Sequence, residues 1–189
     1  MIFLLPNSIF RLLRERNNFV IDIVNEPVIS ELFLYMTMNE RFRGNILKGI
    51  MLVGSYGSGK SLIMQALAEM YNTAVETSKS QLPQIKFIKS SDLLTEVLKE
   101  NPAGVYFSRS PIVIDEFGRE PKQIMDFGNL RSPIVELLCR RYDIGALTHG
   151  TSNFTLETLC SENQYGKMTG DRIKSMFNFI ELKGESRRT

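Results

Sequence analysis

Apolar positions follow two different rhythms along this chain, and the change of rhythm divides it. Through about residue 44 the spacing is helical: Phe19, Val20, Ile23 and Val24 recur on one face, and Pro27 opens a second segment carrying Ile29, Leu32, Phe33 and Met36. From Ile50 onward, short runs rich in Ile, Val and Leu alternate with longer amphipathic stretches. The runs are Ile50 to Val53, Ile85 to Ile88, Ile112 to Ile114, Ala146 to Thr148, and Phe179 to Leu182. Unbroken apolar runs suit strands covered on both faces, so the pattern predicts an α/β fold with a five-stranded parallel sheet flanked by helices. Ser61 to Tyr71 and Ser91 to Glu100 fit two of those helices. A third begins at Ser132 and Pro133, an N-cap and a first-turn proline, and ends near Tyr142. The stretches Asn72 to Pro83, Asn101 to Ser110 and Arg119 to Asn129 read as loops, with no internal repeat and no low-complexity segment. Residues 1–44 are thus expected to form a short helical N-terminal extension, and 45–189 one α/β domain.

Composition narrows the function without naming it. The chain has 189 residues, 43% hydrophobic and 23% charged, which suits a globular protein. Twenty-three basic against 21 acidic residues leave a net charge of +2, so any nucleic-acid surface has to be local. Arg11, Arg14, Arg16, Arg41, Arg43 and Lys48 are spaced like a solvated helix face, and no residue is assigned to DNA contact. Met1 to Pro6 has no basic flank, and no apolar run nears the roughly 20 residues that span a bilayer, so a cytoplasmic, non-membrane protein is expected. Cys139 and Cys160 would stay reduced there. With the single His149 they cannot supply a zinc site, and all three read as structural residues in or near the core.

The chemistry lies in three strand ends. Gly54-Ser55-Tyr56-Gly57-Ser58-Gly59-Lys60-Ser61 satisfies the P-loop pattern and sits after an apolar run and before a helix. Glycines at 54, 57 and 59 permit backbone angles at which successive N–H groups turn inward around phosphate oxygens. Lys60 adds a positive charge at the β and γ phosphates, and the Ser61 hydroxyl suits a magnesium ion. Pro111 to Glu116 describes a buried strand ending in two carboxylates. Asp115 suits the metal, and Glu116 can accept a proton from the attacking water or orient it. Ala146 to His149 leads into Gly150-Thr151-Ser152-Asn153, which places Asn153 to hold that water or touch the γ phosphate, although an ordinary turn former would look the same.

Taken in order, Gly49 to Ser61, Ser91-Asp92-Leu93-Leu94, Ile112 to Gly118, Thr151-Ser152-Asn153, Gly170-Asp171-Arg172-Ile173 and Gly184 to Arg188 resemble the DnaC and IstB branch of the AAA+ ATPases. That branch holds helicase loaders and transposition helper ATPases, and the likeness spans about Gly49 to Arg188. It implies a P-loop NTPase core without a large helical lid, using ATP and Mg2+. It further implies that Asn153 is the first sensor, that Arg172 is an arginine finger entering a neighbour's site, and that Arg188, with Arg187 as substitute, is the second sensor. Implied partners are a DnaB-type replicative helicase, single-stranded DNA and further copies of the chain, assembling on ATP or DNA. Read without the family, Arg172 is a surface arginine paired with Asp171 or Glu185, and residues 1–44 match no helicase-gripping motif. An IstB-like transposition helper, a P-loop small-molecule kinase and a nucleotide-binding scaffold stay open as alternatives. Glu116 beside Asp115 favours water as the nucleophile over a kinase acceptor.

Overall fold

The computed structural model describes Leu13, residues 19–99, Phe107 and residues 109–187. Its strands are β1 (Gly49–Gly54), β2 (Lys86–Lys89), β3 (Ile112–Asp115), β4 (Ile124–Asp126), β5 (Asn129–Arg131), β6 (Thr148–Ser152) and β7 (Phe177–Leu182). Its helices are α1 (Glu26–Met36), α2 (Lys60–Thr77), α3 (Ser90–Lys99), α4 (Pro133–Asp143), α5 (Leu156–Leu159) and α6 (Gly166–Met176). Five strands make one parallel sheet in the order β2-β3-β6-β1-β7, and β4 pairs with β5 as a separate antiparallel hairpin.

Alternation along the strands explains the unbroken apolar runs. Ile50 and Leu52 of β1 and Val113 of β3 join Ile29 and Leu32 of α1 and Ile63 and Leu67 of α2 on one face. Met51, Ile112 and Ile114 face the other way, into a cluster with Leu137 and Leu138 of α4, Ile173 of α6 and Phe177. Each face buries its own core, so neither can present polar residues without loss. The segment after α1 is tied in by side chains: the Tyr35 hydroxyl donates to the Lys48 carbonyl (2.8 Å), and the Asn178 amide exchanges two bonds with the Asn45 backbone (2.8 Å each).

Several expected boundaries move. Phe19, Val20, Ile23 and Val24 do not form a helix; Ile23 and Val20 are largely exposed. The Asp22 carboxylate takes the N–H groups of Val24 (2.9 Å) and Asn25 (3.1 Å), while the Asn25 amide bonds Val20 and Asp22, so side chains compete with helical bonding. The helix expected over Ser61 to Tyr71 continues to Thr77. Asn72, expected to begin a loop, instead uses its amide to bond Ile85 both ways, at 2.7 and 2.9 Å, just ahead of β2. Strand β6 begins at Thr148, so Ala146 and Leu147 precede it. Part of the loop expected over Arg119 to Asn129 is the β4–β5 hairpin. At α4 the proline does open the helix, but the Ser132 hydroxyl makes no capping bond. Residues 101–106 and 108 of the expected Asn101 to Ser110 loop lie outside the described residues.

Candidate functional site

The strand order sets the carboxyl ends of β1, β6 and β3 side by side, where ligands bind in open α/β sheets. The loop leaving β1 carries two glycines in left-handed backbone, Gly57 (φ 74°) and Gly59 (φ 100°), the latter capping α2. A side chain at Gly57 would strike Ser186, and a Cβ at Gly59 would come within 2.9 Å of the Phe19 ring. Close approach and backbone sign both require glycine there. The loop thus delivers Lys60 as the first residue of α2, with only 6% of its surface exposed. Its ammonium donates to the carbonyls of Gly54 (3.0 Å) and Ser55 (2.7 Å) and to the Asn153 side-chain oxygen (2.8 Å). Two of the residues singled out from the sequence, 93 positions apart, therefore touch.

At the end of β3, Asp115 is 3% exposed and accepts the Thr151 hydroxyl of β6 (2.6 Å). The same hydroxyl oxygen accepts the N–H of Glu116 (3.0 Å). Glu116 sits in left-handed backbone (φ 58°), a conformation that costs a non-glycine residue about 1 kcal/mol or more. Its surroundings hold it there: the Ser90 hydroxyl donates to its carbonyl (3.1 Å), and the next N–H, of Phe117, donates to Thr151 O (2.8 Å). The twist points the Glu116 carboxylate out of the sheet, where it pairs with Arg119 (3.0 Å) and still borders the cleft. The Arg119 guanidinium also lies 5.5 Å over the ring of Tyr56 in the P-loop.

The cleft is about 600 Å³, lined by Tyr56, Gly57, Gly59, Lys60 and Ser61 of the P-loop and bounded by Glu116, Thr151 and Asn153. Its apolar end is made by Phe19, Val20 and Leu62, and Arg187 closes one side. Phe19 and Val20 had no local signal marking them as cleft residues, because they reach the site through long-range packing, whereas Leu62 and Thr151 lie beside Ser61 and Asn153 in sequence. Arg188 lies outside the described residues, and Arg187 borders the cleft. The Arg187 N–H donates to Gly57 O (2.9 Å), and its guanidinium bonds both oxygens of Asp22 (2.5 and 3.1 Å). That guanidinium, with the two backbone N–H groups, holds the Asp22 pKa down at about 2.

Arg172 does not line the cleft. It lies on α6, 5.3 Å over the Tyr142 ring and 3.8 Å from Asp143, neither of which is the partner expected from sequence. His149 is structural: its Nδ1 accepts the N–H of Ile50 (3.1 Å), and burial with the nearby Arg141 charge lowers its pKa to about 4. Cys139 and Cys160 are half-buried free thiols.

The donor set fits a polyphosphate with a divalent ion. A left-handed glycine loop opens a helix, an ammonium stands at its mouth, and a hydroxyl (Ser61) and a buried carboxylate (Asp115) suit a hard cation.

No family model and no curated protein matches the sequence. Solved structures do. The DnaC helicase loader superposes with a TM-score of 0.65 at 18% identity, over 86% of this chain and 92% of that one. DnaI superposes at 0.60 and 19% identity, over 95% of each. AMPPCP-bound DnaA from Aquifex aeolicus superposes at 0.60 and 14% identity, over 97% of this chain and 52% of that one. At such identities the likeness is one of architecture: the chain shares with these proteins an α/β fold in which a parallel five-stranded sheet is flanked by helices.

Proposed function

We propose that the protein binds ATP in this cleft, hydrolyses it in an assembly of several copies, and uses the cycle to load a replicative helicase of the DnaB type onto single-stranded DNA. One observation carries the reading: Lys60 of the P-loop bonds Asn153 beyond β6, beside a cleft edged by Glu116. A phosphate cradle, a sensor and a carboxylate at the end of the neighbouring strand then surround one space.

Each residue has a task in that reading. The P-loop N–H groups and Lys60 bind the β and γ phosphates. Asn153 senses the γ phosphate and orients the attacking water. Glu116 takes the proton of that water once its carboxylate turns from Arg119 into the cleft. Ser61 and Asp115 would hold magnesium, which neutralises charge building on the phosphates. Thr151 fixes Asp115 and the Glu116 backbone together. Arg172, on α6, completes the site of a neighbouring copy, and Arg187 takes the part of second sensor among the described residues. The loading role is supported by the extent of the DnaC and DnaI superpositions, and AMPPCP in DnaA supports the choice of ligand. Among the described residues no helix is long and apolar enough to cross a membrane.

The test is ATP turnover per subunit measured against protein concentration. Turnover should rise with concentration and fall about hundredfold or more in Arg172→Ala. Turnover independent of concentration and of Arg172 would end the shared-site reading. Retention of a DnaB-type helicase on the immobilised chain, with and without ATP, tests the partner.

A further inference from the structure

Residues 20–25 and 184–187, far apart in sequence, meet beside the cleft. Residues 20–25 form a tight turn built on Asp22 and Asn25 side chains, and Asn25 is fully buried. Residues 184–187 run over the P-loop: the Ser55 hydroxyl donates to Gly184 O, and the Arg187 N–H donates to Gly57 O. Arg187 therefore rides on the P-loop by its backbone while its side chain crosses to Asp22. The contact is two-pronged, one guanidinium nitrogen to each carboxylate oxygen, and a third bond runs to Val20 O (3.4 Å). Phe19, Val20 and Arg187 border the cleft; Asp22 does not.

We propose that the Asp22–Arg187 pair is a clasp over the apolar end of the cleft, and that it governs how long a nucleoside triphosphate stays bound. Asp22 is a positioning residue in this scheme. It touches no ligand, and acts through Arg187 and through the turn that carries Phe19 and Val20. A ligand seated on the P-loop leaves when the segments 20–25 and 184–187 move apart, and the forked pair resists that movement in addition to the ligand's own contacts. Both partners are about one-third exposed or less, 26% for the Arg187 side chain and 35% for Asp22, so the pair is partly screened by salt. The clasp rests on the reading of the cleft as a nucleotide site.

The experiment is dissociation of a fluorescent ATP analogue with magnesium from the full chain, chased with unlabelled ATP and repeated across a salt series. Asp22→Asn keeps an acceptor for the Val24 and Asn25 N–H groups while removing the charge, so the turn should survive; thermal melting without nucleotide checks this. Release should quicken about three- to tenfold in Asp22→Asn and recover in Asp22→Glu. Arg187→Gln should quicken it too, and the double variant should be no faster than the faster single. Added salt should speed release from the unaltered chain more than from Asp22→Asn. Unchanged or slower release from Asp22→Asn, or salt-independent release from the unaltered chain, overturns the clasp alone. No binding of the analogue by the unaltered chain overturns the cleft reading as well.

Discussion

Of the four described non-glycine residues in left-handed backbone, Glu116 at the cleft and Phe127 in the β4–β5 hairpin are held in opposite ways. At the cleft, Glu116 (φ 58°) is fixed by Thr151, by Ser90 and by the Phe117 N–H bonded to Thr151 O. In the β4–β5 hairpin, Phe127 (φ 47°) leads Gly128 (φ 82°) through a two-residue turn whose angles suit the right-handed twist of its strands. Nothing packs on Phe127, which is fully exposed, and Met125 and Leu130 beside it are mostly exposed. The hairpin is instead braced by Arg131, which spans Asp126 and Glu136 at 2.5 Å each. The cleft therefore buries polar groups and satisfies them across three strands, whereas the hairpin exposes apolar groups at its turn and is braced by exposed ion pairs, one of them to Glu136 of α4. Strain backed by tertiary bonds is a feature that substitutions elsewhere can disturb, and strain in a free turn is only local.

The contrast is sharpest at Lys60. Lys60→Ala removes the ammonium on which the Gly54, Ser55 and Asn153 oxygens converge, together with the charge that meets phosphate. ATP affinity by calorimetry should fall about hundredfold or more. Binding within a few-fold of the unaltered chain would mean the cleft is not where phosphate sits. Glu116→Gln comes next. Its backbone bonds persist, so ATP affinity should stay within about threefold, while turnover falls about hundredfold or more as the proton acceptor is lost. Slow turnover that the substitution leaves unaltered would favour a nucleotide-binding scaffold.

A smaller effect comes from beneath the cleft, on β6. His149 is buried and neutral, with a pKa of about 4 against 6.5 in an unfolded chain. Above pH 6.5 neither state holds the proton and there is no penalty. As pH falls from 6.5 toward 4 the unfolded state binds a proton the folded state excludes, so stability drops, by roughly 2 kcal/mol at pH 5. Urea unfolding at pH 7.5 and pH 5 should show this loss, and His149→Gln should remove most of the difference. Asp22 acts in the opposite range: its lowered pKa favours the folded state above about pH 4, a contribution lost only as pH falls toward 2.

The sequence showed the cleft more clearly than the hairpin, for reasons of range. P-loop glycines and the acidic end of β3 are set by neighbours within a few residues, so their spacing alone located them. The parallel sheet was equally legible, because burial on both faces writes itself as unbroken apolar runs. What stayed hidden depends on distant or competing bonds. Val20 to Val24 has helical spacing, yet Asp22 and Asn25 divert the backbone. Of two adjacent arginines, the bond to Gly57 O is what brings Arg187 to the cleft, and no local pattern predicts it. Arg141 is fully buried on α4, where it bonds the carbonyls of Phe107, Ser110 and Leu147 and the Thr148 hydroxyl, and no pattern in the sequence singles it out. The hairpin was missed because its turn carries phenylalanine where asparagine or glycine would have announced it.

That last irregularity yields the smallest predicted effect and the closest test of the contrast. Phe127→Asn places a residue tolerant of left-handed backbone at the first turn position and gives up a side chain that buries nothing. Stability by urea unfolding should rise by about 0.5–1 kcal/mol, with ATP affinity and turnover unchanged. The same exchange at Glu116 would relax the backbone equally and remove the proton acceptor, so stability and activity should part company at the cleft and not at the hairpin. A loss of more than about 1 kcal/mol for Phe127→Asn would show that the ring is packed in solution, since exposed sites without special contacts stay within about 0.5 kcal/mol. The two strained positions would then be alike in having distant support, and the hairpin would have to be counted as part of the folded core.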